Sequence, residues 1–202
     1  MMITERSARQ LKGDLSMTTH YEAQIVSLNA DKIGHAAYGH ATFEVAGEEL
    51  IIRIEMHNTP AKMAHWEHFH GNPDGSQALI ATLAQDKNGD GFVDLPETAA
   101  VSGTTMVPFD DAPEHMDIPH DRYPVSDENG DFVYEKRVSL PELQANFKKA
   151  FGDDELHLEK RVIYIHGVPA SLDLPESVAG MVGHYDAHVT LPIATGQILA
   201  MD

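Results

Sequence analysis

The chain has 202 residues, 42% of them apolar, a length that suits one large domain better than two small ones. Lys and Arg number 14 against 32 Asp and Glu, a net charge of −18 that repels nucleic acid and anionic membrane surfaces and favours cations. There is no Cys, which excludes disulfides, thiolate ligands and cysteine nucleophiles, and no apolar run approaches the ~18 residues that cross a bilayer.

Residues 1–18 are polar and aperiodic and read as a flexible tail, without the apolar core of an export signal in their first ten positions. The remaining residues, 19–202, are expected to form a single β-sandwich domain. Alternating or β-rich runs at 23–28, 41–45 and 49–57, divided by Asn29-Ala30-Asp31 and Ala46-Gly47-Glu48, open an antiparallel sheet.

Next comes His65-Trp66-Glu67-His68-Phe69-His70-Gly71. On a strand, side chains i and i+2 share a face, so His68 and His70 can point at one ion. His166 ends a second apolar run, 161–167, and would complete a nitrogen-rich site of the kind copper or zinc prefers. The plainer alternative is that histidines beside Trp66 and Phe69 are hydrogen-bonded core residues. Trp66 itself reads as core.

After Gly71 the strand spacing breaks, and an inserted segment extends to about residue 158. Ser76 can cap a short helix over 77–85. The next twelve residues run Asp86-Lys87-Asn88-Gly89-Asp90-Gly91-Phe92-Val93-Asp94-Leu95-Pro96-Glu97. Oxygens from Asp86, Asn88, Asp90, the Phe92 carbonyl, Asp94 and Glu97 fall at the ligand positions of an EF-hand calcium loop, with Gly91 at the sharp turn. With no second loop to pair with and little helix after it, a structural calcium clip is expected rather than a sensor.

Residues 125–134 resemble a hairpin turning at Asn129-Gly130. Ser139-Leu140-Pro141-Glu142 has capping-box spacing, and Leu143, Phe147 and Phe151 recur every four residues in a second short helix that stops at Gly152. Two more strands are expected at 159–166 and 187–199. His184 and His188 read as part of a solvated loop.

These residues resemble the copper/zinc superoxide dismutase-like superfamily, closest to bacterial members with an inserted calcium loop. The His-x-x-His-x-His run at His65, His68 and His70, the later Arg161-to-His166 strand, the early strands 39–45 and 50–54, and residues 191–198 carry the likeness. The resemblance implies a Greek-key antiparallel β-sandwich decorated by the insertion with its two helices and calcium loop. It further implies copper at His68, His70 and His166, with His65 in support, and export to the periplasm or outside the cell.

The chain also departs from that pattern. Thr195 stands where the family has its disulfide cysteine, and Pro192 where it has a superoxide-guiding Arg. The family's zinc cluster is not reproduced, and His115, His120 and Asp121 are the nearby candidates for a further metal contact, with zinc behind copper. The expected function is a metal-binding superoxide dismutase-like protein, with superoxide dismutation as its narrower form. The alternatives left open are a copper storage or delivery protein and a non-catalytic, calcium-stabilised binding or structural module; a homo-oligomer is open too.

Overall fold

The computed structural model describes residues 18–202, so the expected tail falls almost wholly outside the described residues. Among them are nine strands: β1 (Thr19–Ser27), β2 (Tyr38–Ala46), β3 (Glu49–His57), β4 (Glu67–Gly71), β5 (Thr104–Pro108), β6 (Phe132–Ser139), β7 (Val162–His166), β8 (Pro192–Gln197) and β9 (Leu199–Ala200). The helices are α1 (Ala30–Ile33), α2 (Leu95–Ser102), α3 (Leu140–Phe151) and α4 (Ala187–Thr190). The protein is mainly β. Its strands form one antiparallel sheet in the spatial order β5-β4-β7-β8-β1-β2-β3-β6, with β9 against β1. No helix among the described residues is long and apolar enough to cross a membrane.

The two halves of the sheet differ in burial, and the sequence shows why. β2 and β3 alternate polar and apolar residues, so Ala41, Phe43, Leu50, Ile52, Ile54 and Met56 face inward while Arg53 and Glu49 face solvent. Arg53 ties to Glu135 on β6 at 2.9 Å, and Arg137 to Glu49 at 2.9 Å, cross-strand pairs on that wet face. In the other half, every residue of β4 and β7 is buried, because both faces are covered. Phe69, Ile163 and Ile165 join the main core, and Val162 and Tyr164 meet a second cluster with Ala78, Ala81 and Val93 from the segment after β4.

The segment 72–158 is not mere decoration, because it supplies β5 and β6, the two outermost strands of the sheet. The helix expected over 77–85 does not form. Those residues run extended over the outer face of β7, with Ala81 N–H bonded to the Tyr164 hydroxyl at 3.1 Å, and only Leu83–Gln85 makes a 3-10 turn, capped by Thr82. Tertiary hydrogen bonds outweigh a weak local propensity here. The hairpin at 125–134 is also corrected. The turn at residues 127–130 exists and is closed by the Asp127 N–H on the Asp131 carbonyl at 2.9 Å, but beyond it Val125 bridges Ala64 while β6 pairs with β3, so no strand ladder forms across the turn.

The expected helix after Ser139 is α3, which buries Leu143 and Phe147 and stops at Gly152 with φ +83°. Ser139 makes no side-chain cap, so Pro141 in the first turn and the apolar face carry that helix without the box. The last two strands are shorter than expected. Residues Leu158–Lys160 form a 3-10 turn before β7, and α4 occupies the start of the 187–199 run.

Candidate metal centre

β4 presents His68 and His70 on its outer face, with Trp66 immediately before the strand, and β7 presents Tyr164 and His166 beside them. The register places His68 opposite Tyr164, and the His166 N–H donates to the Trp66 carbonyl at 2.8 Å. A bulge at Ile165/His166 in the pairing with β8 ends the ladder where His166 projects. One nitrogen from each of His68, His70 and His166 lies within 4.8 Å of the other two, close to the reach of an ion bonded at about 2.0–2.1 Å. The sequence-expected trio is therefore brought together.

Two of the three rings are oriented by neighbours that the sequence did not advertise. His166 Nδ1–H donates to the Thr190 carbonyl at 2.7 Å, which leaves Nε2 with its lone pair and no partner. His70 Nε2 lies 3.1 Å from Thr105 Oγ1, and with Nε2–H donating, Nδ1 keeps its lone pair, also without a partner. His68 has no partner on either nitrogen. Four buried ring nitrogens without a hydrogen bond are unusual in a folded protein, where buried polar atoms are nearly always paired.

Burial sets the charge state. It pulls His68 and His70 well below the ordinary imidazole range, and the neighbouring histidines push in the same direction. His166 is pulled down to about 4 by the same cause, against its bond to Thr190. All three rings are thus neutral at pH 7, the state a metal requires.

An aromatic shell encloses them. Trp66 meets His68 edge-on at 6.1 Å, Tyr123 meets it at 5.7 Å, and Tyr164 lies 4.7 Å from His70. Exposure of the three imidazoles is 1–3%. The trio is sealed rather than open to a dissolved substrate.

His65 stands off this face. Its ring nitrogens lie 2.9 Å from the His166 carbonyl and 2.9 Å from the Pro60 carbonyl, and it stacks on Phe132. Burial lowers its pKa, and the ring fastens the start of β4 to the end of β7 rather than ligating. Glu67, facing the opposite way into the core, has both carboxyl oxygens unpartnered, and burial raises its pKa well above the carboxylate range, so it is protonated. Nothing in the sequence pattern singled it out.

The further histidine set is not assembled as expected. His115 lies out at the surface, 4.0 Å from Glu142, and Asp121 is exposed and joins neither histidine group. His120 instead joins Asp110 and Asp111. That group is already satisfied: His120 Nε2–H donates to Asp110 at 2.6 Å, His120 Nδ1 accepts from the Arg122 N–H at 3.0 Å, and Asp111 pairs with Arg122 at 3.0 Å. With both ring nitrogens engaged, His120 has no lone pair for a metal. His188 is likewise held locally, by Asp186 and the Leu172 carbonyl.

In the loop at 86–97 the acidic side chains hold the backbone. Asp86 accepts from the N–H groups of Gly89 and Gly91, Asp90 from Phe92 N–H and the Ser177 hydroxyl, and Asp94 from the N–H groups of Glu97 and Ala179. Glu97 accepts from Lys87 at 2.7 Å and from Asp94 at 3.2 Å, closing a capping box on α2. Asn88 accepts from Asp90 N–H at 2.9 Å. Each oxygen keeps a further lone pair, so the donor chemistry suits a hard cation, but the carboxylates do not converge as the histidines do.

No protein-family model matches the chain, and no curated protein matches it.

Proposed function

We propose that this protein holds a transition-metal ion at His68, His70 and His166, copper before zinc, on a superoxide dismutase-like scaffold. The observation that carries the reading is the set of buried, neutral imidazoles, one nitrogen of each within 4.8 Å of the other two and each ring with at least one unpartnered nitrogen, while Thr190 and Thr105 engage the other nitrogens of His166 and His70. Such an arrangement leaves polar atoms unpaired at a cost unless a ligand binds them.

The strand order supports the scaffold. The chain crosses between the halves β1-β2-β3-β6 and β5-β4-β7-β8 from β3 to β4, from β5 to β6 and from β6 to β7, and β8 pairs with β1, connections that a Greek-key sandwich would use. Thr195, standing where the resembled family has its cysteine, donates to the Ile163 carbonyl at 3.0 Å.

A copper ion there would supply one-electron chemistry. The chain's own residues would fix the tautomers of His166 and His70 and exclude water through Trp66, Tyr123 and Tyr164. The sealed trio and the −18 charge both oppose rapid turnover of an anionic substrate, so retention of metal is favoured over superoxide dismutation. The same enclosure favours, as a second reading, a calcium-stabilised module whose histidines are core residues. In both readings calcium takes the oxygens of Asp86, Asn88, Asp90, Phe92, Asp94 and Glu97.

The test is elemental analysis of the untagged protein, purified without chelator, challenged with copper and desalted. One copper per chain, lost in His68→Ala and in His166→Ala, is expected. Equal copper in the parent and both variants removes the trio as the site.

A further inference from the structure

We propose that the loop at 86–97 sets the pose of the His166 imidazole from a distance, with Asp94 and the Thr190 hydroxyl as positioning groups for the trio. His70 is held by Thr105 on the neighbouring strand, within the sheet. His166 is held from outside it, because its Nδ1–H reaches the carbonyl of Thr190, the last residue of α4, at 2.7 Å. A carbonyl only accepts, so this bond decides that Nδ1 carries the proton and Nε2 keeps its lone pair.

The place of Thr190 is fixed in turn by two adjacent loop residues that grip the chain on either side of it. On one side Asp94 accepts from the Ala179 N–H at 2.7 Å, and the next carbonyl, that of Gly180, accepts from the Thr190 hydroxyl at 2.6 Å. Gly180 makes that approach possible, since a Cβ there would lie 2.5 Å from Thr190 Oγ1. On the other side the Asn29 side chain joins the loop to β8. Its Oδ1 accepts from the Val93 N–H at 2.8 Å, and its Nδ2 donates to the carbonyls of Val93 at 3.0 Å and Pro192 at 2.9 Å. Pro192 stands opposite His166 in the ladder of β7 and β8.

Asn29, Asp94 and Thr190 are all buried, so a bond lost along this path leaves a polar group unpaired rather than hydrated. A His166 ring released from the Thr190 carbonyl gains access to its other tautomer, in which Nε2 carries the proton and offers an ion nothing. The tether consists of protein hydrogen bonds and stands whatever the loop itself holds. Its consequence for metal affinity rests on the reading above.

The experiment is ring-nitrogen NMR of the full chain with isotope-labelled histidine, first without metal. The parent should show His166 as the single Nδ1–H tautomer with a slowly exchanging ring proton. Thr190→Val, which removes the hydroxyl and keeps the carbonyl, and Asp94→Ala should each bring in the second tautomer and speed that exchange by about 10-fold. Thr190→Ser, which restores the hydroxyl, should match the parent. Ile54→Ala, a destabilising change on β3, should leave the His166 signature alone, which separates positioning from loss of stability. Zinc affinity by competition titration should fall about 10–100-fold in Thr190→Val and Asp94→Ala and return in Thr190→Ser. An unchanged His166 signature in Thr190→Val and Asp94→Ala overturns the proposal, as does the same change in Ile54→Ala. A parent that binds no zinc yet shows the expected His166 response upholds the tether and removes the metal reading. Equal zinc affinity in the parent and Thr190→Val overturns the positioning role.

Discussion

Metal-free protein should lose stability steeply as pH falls through the range just below 6.5, because the trio is buried neutral. In the unfolded chain each imidazole takes up a proton near pH 6.5, while in the folded protein burial holds His68 and His70 well below that and His166 at about 4. The unfolded state therefore binds more protons, and stability is lost as pH falls from 6.5, completely for His166 near pH 4. That single residue accounts for roughly 3 kcal/mol over the interval. Glu67 acts in the opposite sense. Its folded pKa is raised well above 4.5, so the native state keeps a proton the unfolded chain has released, and its contribution improves as pH falls.

Three imidazoles less one carboxyl leave roughly two protons, or about 2.7 kcal/mol per pH unit between about pH 6 and pH 5, a large part of a typical total of about 5–15 kcal/mol. His65, also pulled down by burial, adds to the loss. Urea unfolding of chelator-treated protein, repeated from about pH 7 to about pH 5, measures the slope. His166→Gln should reduce it by about 1.4 kcal/mol per unit. A flat profile, or a slope untouched by that substitution, would refute neutral burial of the trio.

Thr105→Val removes the partner of His70 Nε2 and should weaken copper or zinc binding by about 10–100-fold in a competition titration, with unchanged affinity ruling out a role in orienting that ring. In calcium, Asp86→Ala and Glu97→Ala should lower the melting temperature and abolish its response to chelator, while a parent protein that melts identically with and without chelator ends the calcium reading. Gly130→Ala forces a side chain onto φ +81° and against the Thr59 backbone, and should destabilise by more than about 1 kcal/mol in urea unfolding. Ile54→Ala empties a fully buried position on β3 and should lose about 2–5 kcal/mol by the same measurement, a smaller loss meaning that the core collapses onto the gap.

What was readable in the sequence was what periodicity and local chemistry encode. Alternation marked β2 and β3, since a half-buried strand repeats every two residues, and a four-residue recurrence of Leu143, Phe147 and Phe151 marked α3. The i, i+2 spacing of His68 and His70 was sufficient to put both rings on one face. Residues 77–85 misled because a Ser and a few helix formers carry too little local preference against burial along β7. The turn at residues 127–130 was legible as a turn and not as a hairpin, because the partner of β6 lies some eighty residues away on β3.

The histidines declared themselves as residue types, but not their tautomers, their neutrality or their company. Thr105 reaches His70 across β4 and β5, Thr190 reaches His166 from the end of α4, and His120 is claimed by Asp110 and the Arg122 backbone. None of these pairings follows a sequence period. Composition and spacing by themselves determined an acidic, cysteine-free, mainly β chain with two histidines on one strand face. Only the tertiary structure decided that a third joins them under an aromatic cover, because burial, and the charge state that follows from it, belong to the packing of distant segments rather than to any one of them.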